Sequence, residues 1–150
     1  NWRLTTNFTG DALPIASNLE RNDTAPALTY LSAQMAESSG IFTFPSTGIY
    51  HVIFTAQFAY NGDNTYVNPI IQATTNNSSY ATSVTGAGHI TRNSSSTTYS
   101  TVYTDQLFDI TDTSNQKVRF RISVEDQSTT IQGGSTYDAT AMRFIRLGDT

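Results

Sequence analysis

The sequence predicts an all-β domain built from two antiparallel sheets, a sandwich or a barrel. Turn-forming clusters punctuate the chain about every dozen residues and leave about eight to ten strand-length runs between them. Residues 49–60 and 116–125 alternate apolar and polar positions with the period of a strand. Thr, Ser and Asn make up roughly a third of the 150 residues. Thr favours strands, and Ser and Asn favour turns, so the composition fits the pattern. No internal repeat suggests a solenoid.

The stretch from Gly40 to Tyr60 organises the rest. Ile41–Phe44 is a short apolar run. Pro45-Ser46-Thr47-Gly48 is a turn in which Pro fixes an early φ and Gly accepts a positive one. A long strand follows from Ile49 to Tyr60. Tyr50, Val52, Phe54, Ala56, Phe58 and Tyr60 share its strongly apolar face. Ile49, His51, Ile53, Thr55, Gln57 and Ala59 share the other, which is only partly apolar.

Before this stretch, Trp2–Phe8 predicts a first strand, with Trp2, Leu4 and Thr6 opposite Arg3, Thr5 and Asn7. Residues 10–24 are irregular, pinned by Leu13, Ile15 and Leu19. A helix over Ala16–Arg21 would be short and opposed by Asn18 and Asn22. Ala27–Met35 reads as a strand with Leu28 and Tyr30 inward, and residues 37–40 as a turn. After it, Asn61-Gly62-Asp63-Asn64 is a hairpin signal, because Asn-Gly accepts the positive φ values of a type I′ turn. Thr65–Thr75 would return, with Pro69 requiring an edge or a bulge. Ser79–Arg92 is a strand bent at Gly86 and Gly88, and Asn93–Ser96 a turn. Thr97–Ile110 is a long strand. Gln116–Glu125 carries Val118, Phe120, Ile122 and Val124 on one face. Residues 126–135 form a loop with Gly133-Gly134, and Tyr137–Leu147 is the last strand.

At this length the chain forms one domain with a core that needs no staples. It has 12 acidic and 8 basic residues, a net charge of −4, and no cysteine. Disulfides and thiolate sites are therefore excluded, and nucleic-acid binding, which needs clustered basic charge, is not expected. No apolar run reaches membrane-spanning length. The chain starts at Asn1 rather than Met and reads as an excised or processed segment.

Chemistry-bearing residues are scattered. His51 and His89 sit in strands with no partner at ligand spacing. No serine lies in a nucleophile elbow, so the domain is expected to be non-enzymatic, without catalytic residues. Asp105, Asp109 and Asp112 lie near one another but not at calcium-loop spacing, and turn formation is their expected role; no cofactor or metal is expected. Acceptor matches for N-glycosylation at Asn7, Asn22, Asn76, Asn77 and Asn93 are what this composition produces by chance. Lys117, Arg119, Arg121, Arg143 and Arg146 gather basic charge towards the C-terminus, as solvated strand faces or as contacts to acidic neighbours.

The pattern F-T-F-P-x-x-G-x-Y, with Phe42, Phe44, Pro45, Gly48 and Tyr50 in step, resembles the globular head of the complement first component. More distantly it resembles the tumour necrosis factor superfamily. The resemblance extends weakly from about Leu28 to Leu147. It selects a two-sheet antiparallel jelly roll, where pattern alone leaves an immunoglobulin-like sandwich open. It implies a single domain over 1–150, with 1–26 an N-terminal strand and irregular arm and 27–148 the body. It also implies a homotrimer, with Tyr99, Tyr103 and Leu107 of one strand at the subunit seam. The opening NWRLTTNFTGDALPIASNLER and the phrase ESSGIFTFPSTGIY resemble bacteriophage structural proteins. They imply a virion surface protein, either trimeric capsid decoration (cement) or the head of a capsid or tail fibre. Expected partners are major capsid or fibre proteins and a host surface glycan or receptor. Loop residues Asn61, Gly62, Asp63, Asn64, Gly133 and Gly134 would make the outward contacts. The alternative is a secreted cellular ligand or a carbohydrate-binding head.

Overall fold

The computed structural model describes residues 1–26 and 33–150. The strand expected over Ala27–Met35, with Leu28 and Tyr30 inward, lies largely outside the described residues. Thirteen strands run among those described: β1 (Trp2–Leu4), β2 (Phe8–Thr9), β3 (Leu19–Arg21), β4 (Ala36–Ser38), β5 (Ile41–Thr43), β6 (Gly48–Tyr60), β7 (Asn64–Thr74), β8 (Ala81–Thr85), β9 (Gly88–Ile90), β10 (Thr98–Ile110), β11 (Lys117–Val124), β12 (Thr130–Ile131) and β13 (Ala141–Gly148).

They form two antiparallel sheets. In the first, β6 is paired along both edges. β10 runs beside it from Gly48 to Tyr60, and β13 and then β12 occupy the other edge. β1 and β3 continue outward from β13, and β2 from β12. The second sheet has the order β4, β5, β11, β7, with β8 and β9 sharing the far edge of β7. The all-β, two-sheet antiparallel architecture is the one expected.

Alternation within β6 decides what lies between the sheets. Tyr50, Val52, Phe54, Ala56 and Phe58 are buried, and so are Val118, Phe120, Ile122 and Val124 of β11 in the facing sheet. Phe120 bridges the layers, with ring centroids 5.0 Å from Phe54, 5.2 Å from Phe42 and 5.8 Å from Phe144. Three of these pairs are edge-on or tilted, the arrangements that the ring quadrupole favours.

Turn chemistry places β4 and β5. Ser39 and Gly40 have φ of 53° and 79°, as a two-residue type I′ hairpin requires. Gly40 also has no room for a side chain, since a Cβ there would lie 2.3 Å from the Ile15 carbonyl oxygen.

Several expectations need correction or refinement. The first strand is not continuous: β1 ends at Leu4 and β2 holds only two residues. Within β1, Arg3, on the face opposite Trp2 and Leu4, is fully buried as well. It lies on the face of the sheet away from the core, roofed by residues 20–24. Its guanidinium donates to Glu20 at 2.8 Å, Asp23 and Thr24 at 2.9 Å and Asn22 at 3.2 Å. Two charges and two neutral acceptors thus replace the water it lost. Residues 16–21, where a helix would have been short and opposed by Asn18 and Asn22, include β3.

The Asn61–Asn64 turn does not make a hairpin. β6 and β7 belong to different sheets, so the turn carries the chain across the sandwich. Asn64 is buried, accepting from the Glu125 N–H at 3.2 Å and donating to Thr129 Oγ1. Pro69, expected at an edge or a bulge, lies in β7, a strand paired on both sides but with irregular register against β8 and β9. Its carbonyl accepts from Gly86 N at 2.9 Å, so its ring nitrogen faces the gap between β8 and β9. No ladder bond is lost there, which is why an interior proline is tolerated.

The bend expected at Gly86 and Gly88 is that gap. A Cβ on Gly88 would lie 2.3 Å from Val102 Cγ2 of β10, so the bare glycine lets the two sheets close along this edge.

Truncating Phe120 to Ala should destabilise the fold by about 3–5 kcal/mol, and Arg121 to Ala by about 0.5 kcal/mol or less. Urea denaturation of the two variants checks the difference.

Candidate functional site

Odd-numbered residues of β6 and β10 point away from the core. The register sets them in rows with β13: Tyr103–Thr55–Ala141, Asp105–Ile53–Arg143, and Leu107–His51–Ile145. Tyr99, Tyr103 and Leu107, the residues expected at a seam, are 62%, 61% and 57% exposed, along one face of one edge strand. Sequence reasoning missed Ile145, which extends the same apolar surface beside His51 at 44% exposure, and Leu147, at the register shift that follows, at 59%. The signal was present in the alternation of the last strand, but nothing local said which face would be covered.

A polar pair sits in the middle of this surface. His51 Nε2 is 2.6 Å from Asp105 Oδ2, across the diagonal of the β6–β10 ladder. An ionised carboxylate only accepts, so Nε2 carries the proton in this contact. Hydrogen bonds from His51 and then from Tyr103 hold the Asp105 carboxyl below its ordinary value. Arg143, on the far side of Ile53, is turned to Asp138 at 3.4 Å. His51 was expected to lack a partner at ligand spacing. Asp105 is a hydrogen-bonding partner, and no group of three His, Cys, Asp or Glu side chains among the described residues is placed to hold a metal ion.

Asp109 and Asp112 do not join Asp105. Asp112 closes its own loop, accepting from Ser114 N at 2.9 Å and Asn115 Nδ2 at 2.7 Å. Those bonds, the Asn115 side chain first, lower its pKa. The C-terminal basic residues also disperse. Arg119 lies over the Tyr80 ring at 4.2 Å, and Arg146 donates to Thr47 O and Asp149.

The loops expected to face outward gather at one end of the sandwich. Asn61 Nδ2 donates to Ser95 O at 3.1 Å, and Arg92 N to Asp63 Oδ1 at 2.8 Å, tying 61–64 to 92–96. The Tyr60 hydroxyl donates to Asp126, linking the third loop. Asn61 and Asp63 are exposed there and Gly62 packs on the Tyr60 ring. Gly134 is not an outward tip: it is buried, with its N–H on Leu4 O at 2.8 Å. Gly133 is half-buried and donates to Asn7 Oδ1 at 2.7 Å. Both glycines fasten the loop to the N-terminal segment, a long-range pairing that turn composition does not encode.

A carboxyl with a depressed pKa stabilises the folded state fully above its unfolded value, near 4, and loses that contribution as pH falls through the folded value. Asp105→Asn should therefore narrow the difference in stability between about pH 7 and about pH 3, measured by urea denaturation at each. An unchanged difference would mean that the His51–Asp105 contact does not persist in solution.

No protein-family model matches the sequence, and no curated protein matches it. Solved structures do. Murine APRIL at pH 8.5 superposes with a TM-score of 0.62 at 12% identity, covering 97% of this chain and 95% of that one. The globular domain of zebrafish complement 1qA protein superposes with a TM-score of 0.54 at 12% identity, covering 99% and 98%. Identities this low establish the fold alone. The chain has the jelly-roll fold of the tumour necrosis factor and complement-head structures, here set out as two antiparallel sheets over nearly its full length.

Proposed function

We propose that this domain is a non-enzymatic recognition head that works as a homotrimer. The observation that carries the reading is the exposed strip Tyr99, Tyr103 and Leu107, continued by Ile145 and Leu147 on the same sheet. Large apolar side chains aligned on one outer face are unusual for a surface that stays wet. Tyrosine suits a subunit seam, because it buries area while its hydroxyl still finds a partner. The occupant is a second copy of the chain. A strand-edge patch set against a different patch on the next copy is a heterologous contact, and such contacts close as a ring when the rotation between copies closes. The jelly-roll likeness supports three as the number.

A rigid trimer would present three copies of the clustered loops, so that weak single contacts add through avidity. For the setting we take the surface of a bacteriophage particle, as capsid decoration or a fibre head. The support is the resemblance of residues 1–21 and 37–50 to phage structural proteins. Capsid or fibre subunits would then be the neighbours on the particle, and a host surface molecule the target. A secreted cellular ligand is the second reading, and the likeness to murine APRIL and the complement head favours it.

Light scattering at micromolar concentration should give three times the chain mass, unchanged by a calcium chelator. Tyr103→Asp or Leu107→Asp, which would bury a charge in the seam, should shift the protein to the chain mass while leaving its circular dichroism unaltered. A wild-type monomer would overturn the trimer.

A further inference from the structure

At the loop-bearing end of the first sheet the outer face forms a trough. Its floor is Ala59, which the register places between Tyr99 of β10 and Thr130 of β12. A small residue between two larger ones leaves a depression. Asn7, Tyr60, Asn61 and Gln132 complete its rim, and the space is about 450 Å³. That falls within the range of small-ligand sites, about 300–1,000 Å³.

The chemistry of the lining narrows what fits. The lining contains aromatic rings, amides and hydroxyls, and no charged side chain. An anionic or cationic ligand would lose hydration there without gaining a counter-charge. The amides are already oriented. Asn7 is fixed by the Gly133 N–H at 2.7 Å and reaches Gln132 Oε1 at 3.5 Å. Asn61 is fixed through its NH2 group on Ser95 O at 3.1 Å. This leaves Gln132 Nε2 as a donor and Asn61 Oδ1 as an acceptor at the rim. Tyr60 is anchored by its hydroxyl on Asp126. Tyr99, mostly exposed, begins the seam strip and is the wall that the trough shares with it.

We infer that this trough is a binding site for a neutral sugar. A pyranose has an apolar face of C–H groups for a tyrosine ring, and hydroxyls that both donate and accept. Oriented amides at fixed positions match such a ligand with little ordering on the protein side. The inference rests on the reading of the domain as a recognition head and names the class of molecule that the head binds.

The test is a titration of the 15N-labelled full chain, followed by amide NMR. The probes are the methyl glycosides of glucose, galactose, mannose and fucose, with methyl N-acetylneuraminate as the anionic comparison. At least one neutral glycoside should shift the Asn61 and Gln132 side-chain amides and the Ala59 backbone amide in a saturable way. Gln132→Ala and Asn61→Ala should each weaken binding about tenfold. Gln132→Glu, which keeps the shape and adds a charge, should weaken it as well. No saturable shift from any neutral glycoside would overturn the site. So would a response to the anionic probe alone, or equal affinity in all three variants. Repeating the titration on Tyr103→Asp separates the two readings. A trimer that binds no glycoside overturns the trough and leaves the assembly standing. A wild-type monomer that binds one overturns the assembly and leaves the trough.

Discussion

The constraint on which the molecule depends is that β6 has two faces and two paired edges. Its even-numbered residues must enter the core, because Tyr50, Val52, Phe54 and Phe58 together form too large an apolar surface to leave in water. Once that face is committed, period-two geometry sends Ile49, His51, Ile53, Thr55, Gln57 and Ala59 outward without further choice. The full-length ladder with β10 then fixes the partner face residue by residue. A one-residue slip would put Tyr103 and Leu107 into the core and Val102 and Thr104 outside it. Burial on one side of the sheet is therefore what sets the surface on the other.

That outer face is unevenly covered. At the β1–β3 end, Arg3 and the loop that binds it roof the sheet, with the charge satisfied by four neighbours. Along β10 and β13 nothing among the described residues covers Tyr103, Leu107, Ile145 or Leu147. The His51–Asp105 pair interrupts this apolar surface with one directional contact. Beyond Ala59 the sheet gives way to the trough. One sheet thus offers an apolar field and a polar pocket side by side, both placed by the register of the same strand.

The loops owe their positions to long-range bonds rather than to their own turn preferences. Tyr60 reaches Asp126, Asn61 reaches Ser95, and Gly133 and Gly134 are tied to Asn7 and Leu4. Such cross-links hold three separate connections as one rigid end. A rigid presentation surface loses little conformational entropy when it engages a partner.

Sequence alone determined the long strands β6, β7, β10 and β11, the inward faces of β6 and β11, the turn ending at Gly40 and the break at Gly86–Gly88. Each follows from local information: alternation of period two, or residues that tolerate unusual φ. That Tyr99, Tyr103 and Leu107 share one face of β10 was also legible from their single parity, but its place on the outside came only from the resemblance. Tertiary structure decided the rest, since it turns on which strands become neighbours. Asn61–Asn64 has hairpin chemistry, but only the assignment of β6 and β7 to different sheets makes it a crossover. Pro69 argued for an edge or a bulge, and only the pairing of β7 with β8 and β9 shows the gap opposite its nitrogen. Arg3 reads only as a charge on the face opposite Trp2 and Leu4, and its burial comes from Glu20, Asn22, Asp23 and Thr24 folding over it. Asn7, Tyr60, Asn61, Tyr99 and Gln132 stand far apart in the chain, and no local pattern joins them. Turn and strand preferences act over a few residues, while the face and the trough come from pairings that span much of the chain.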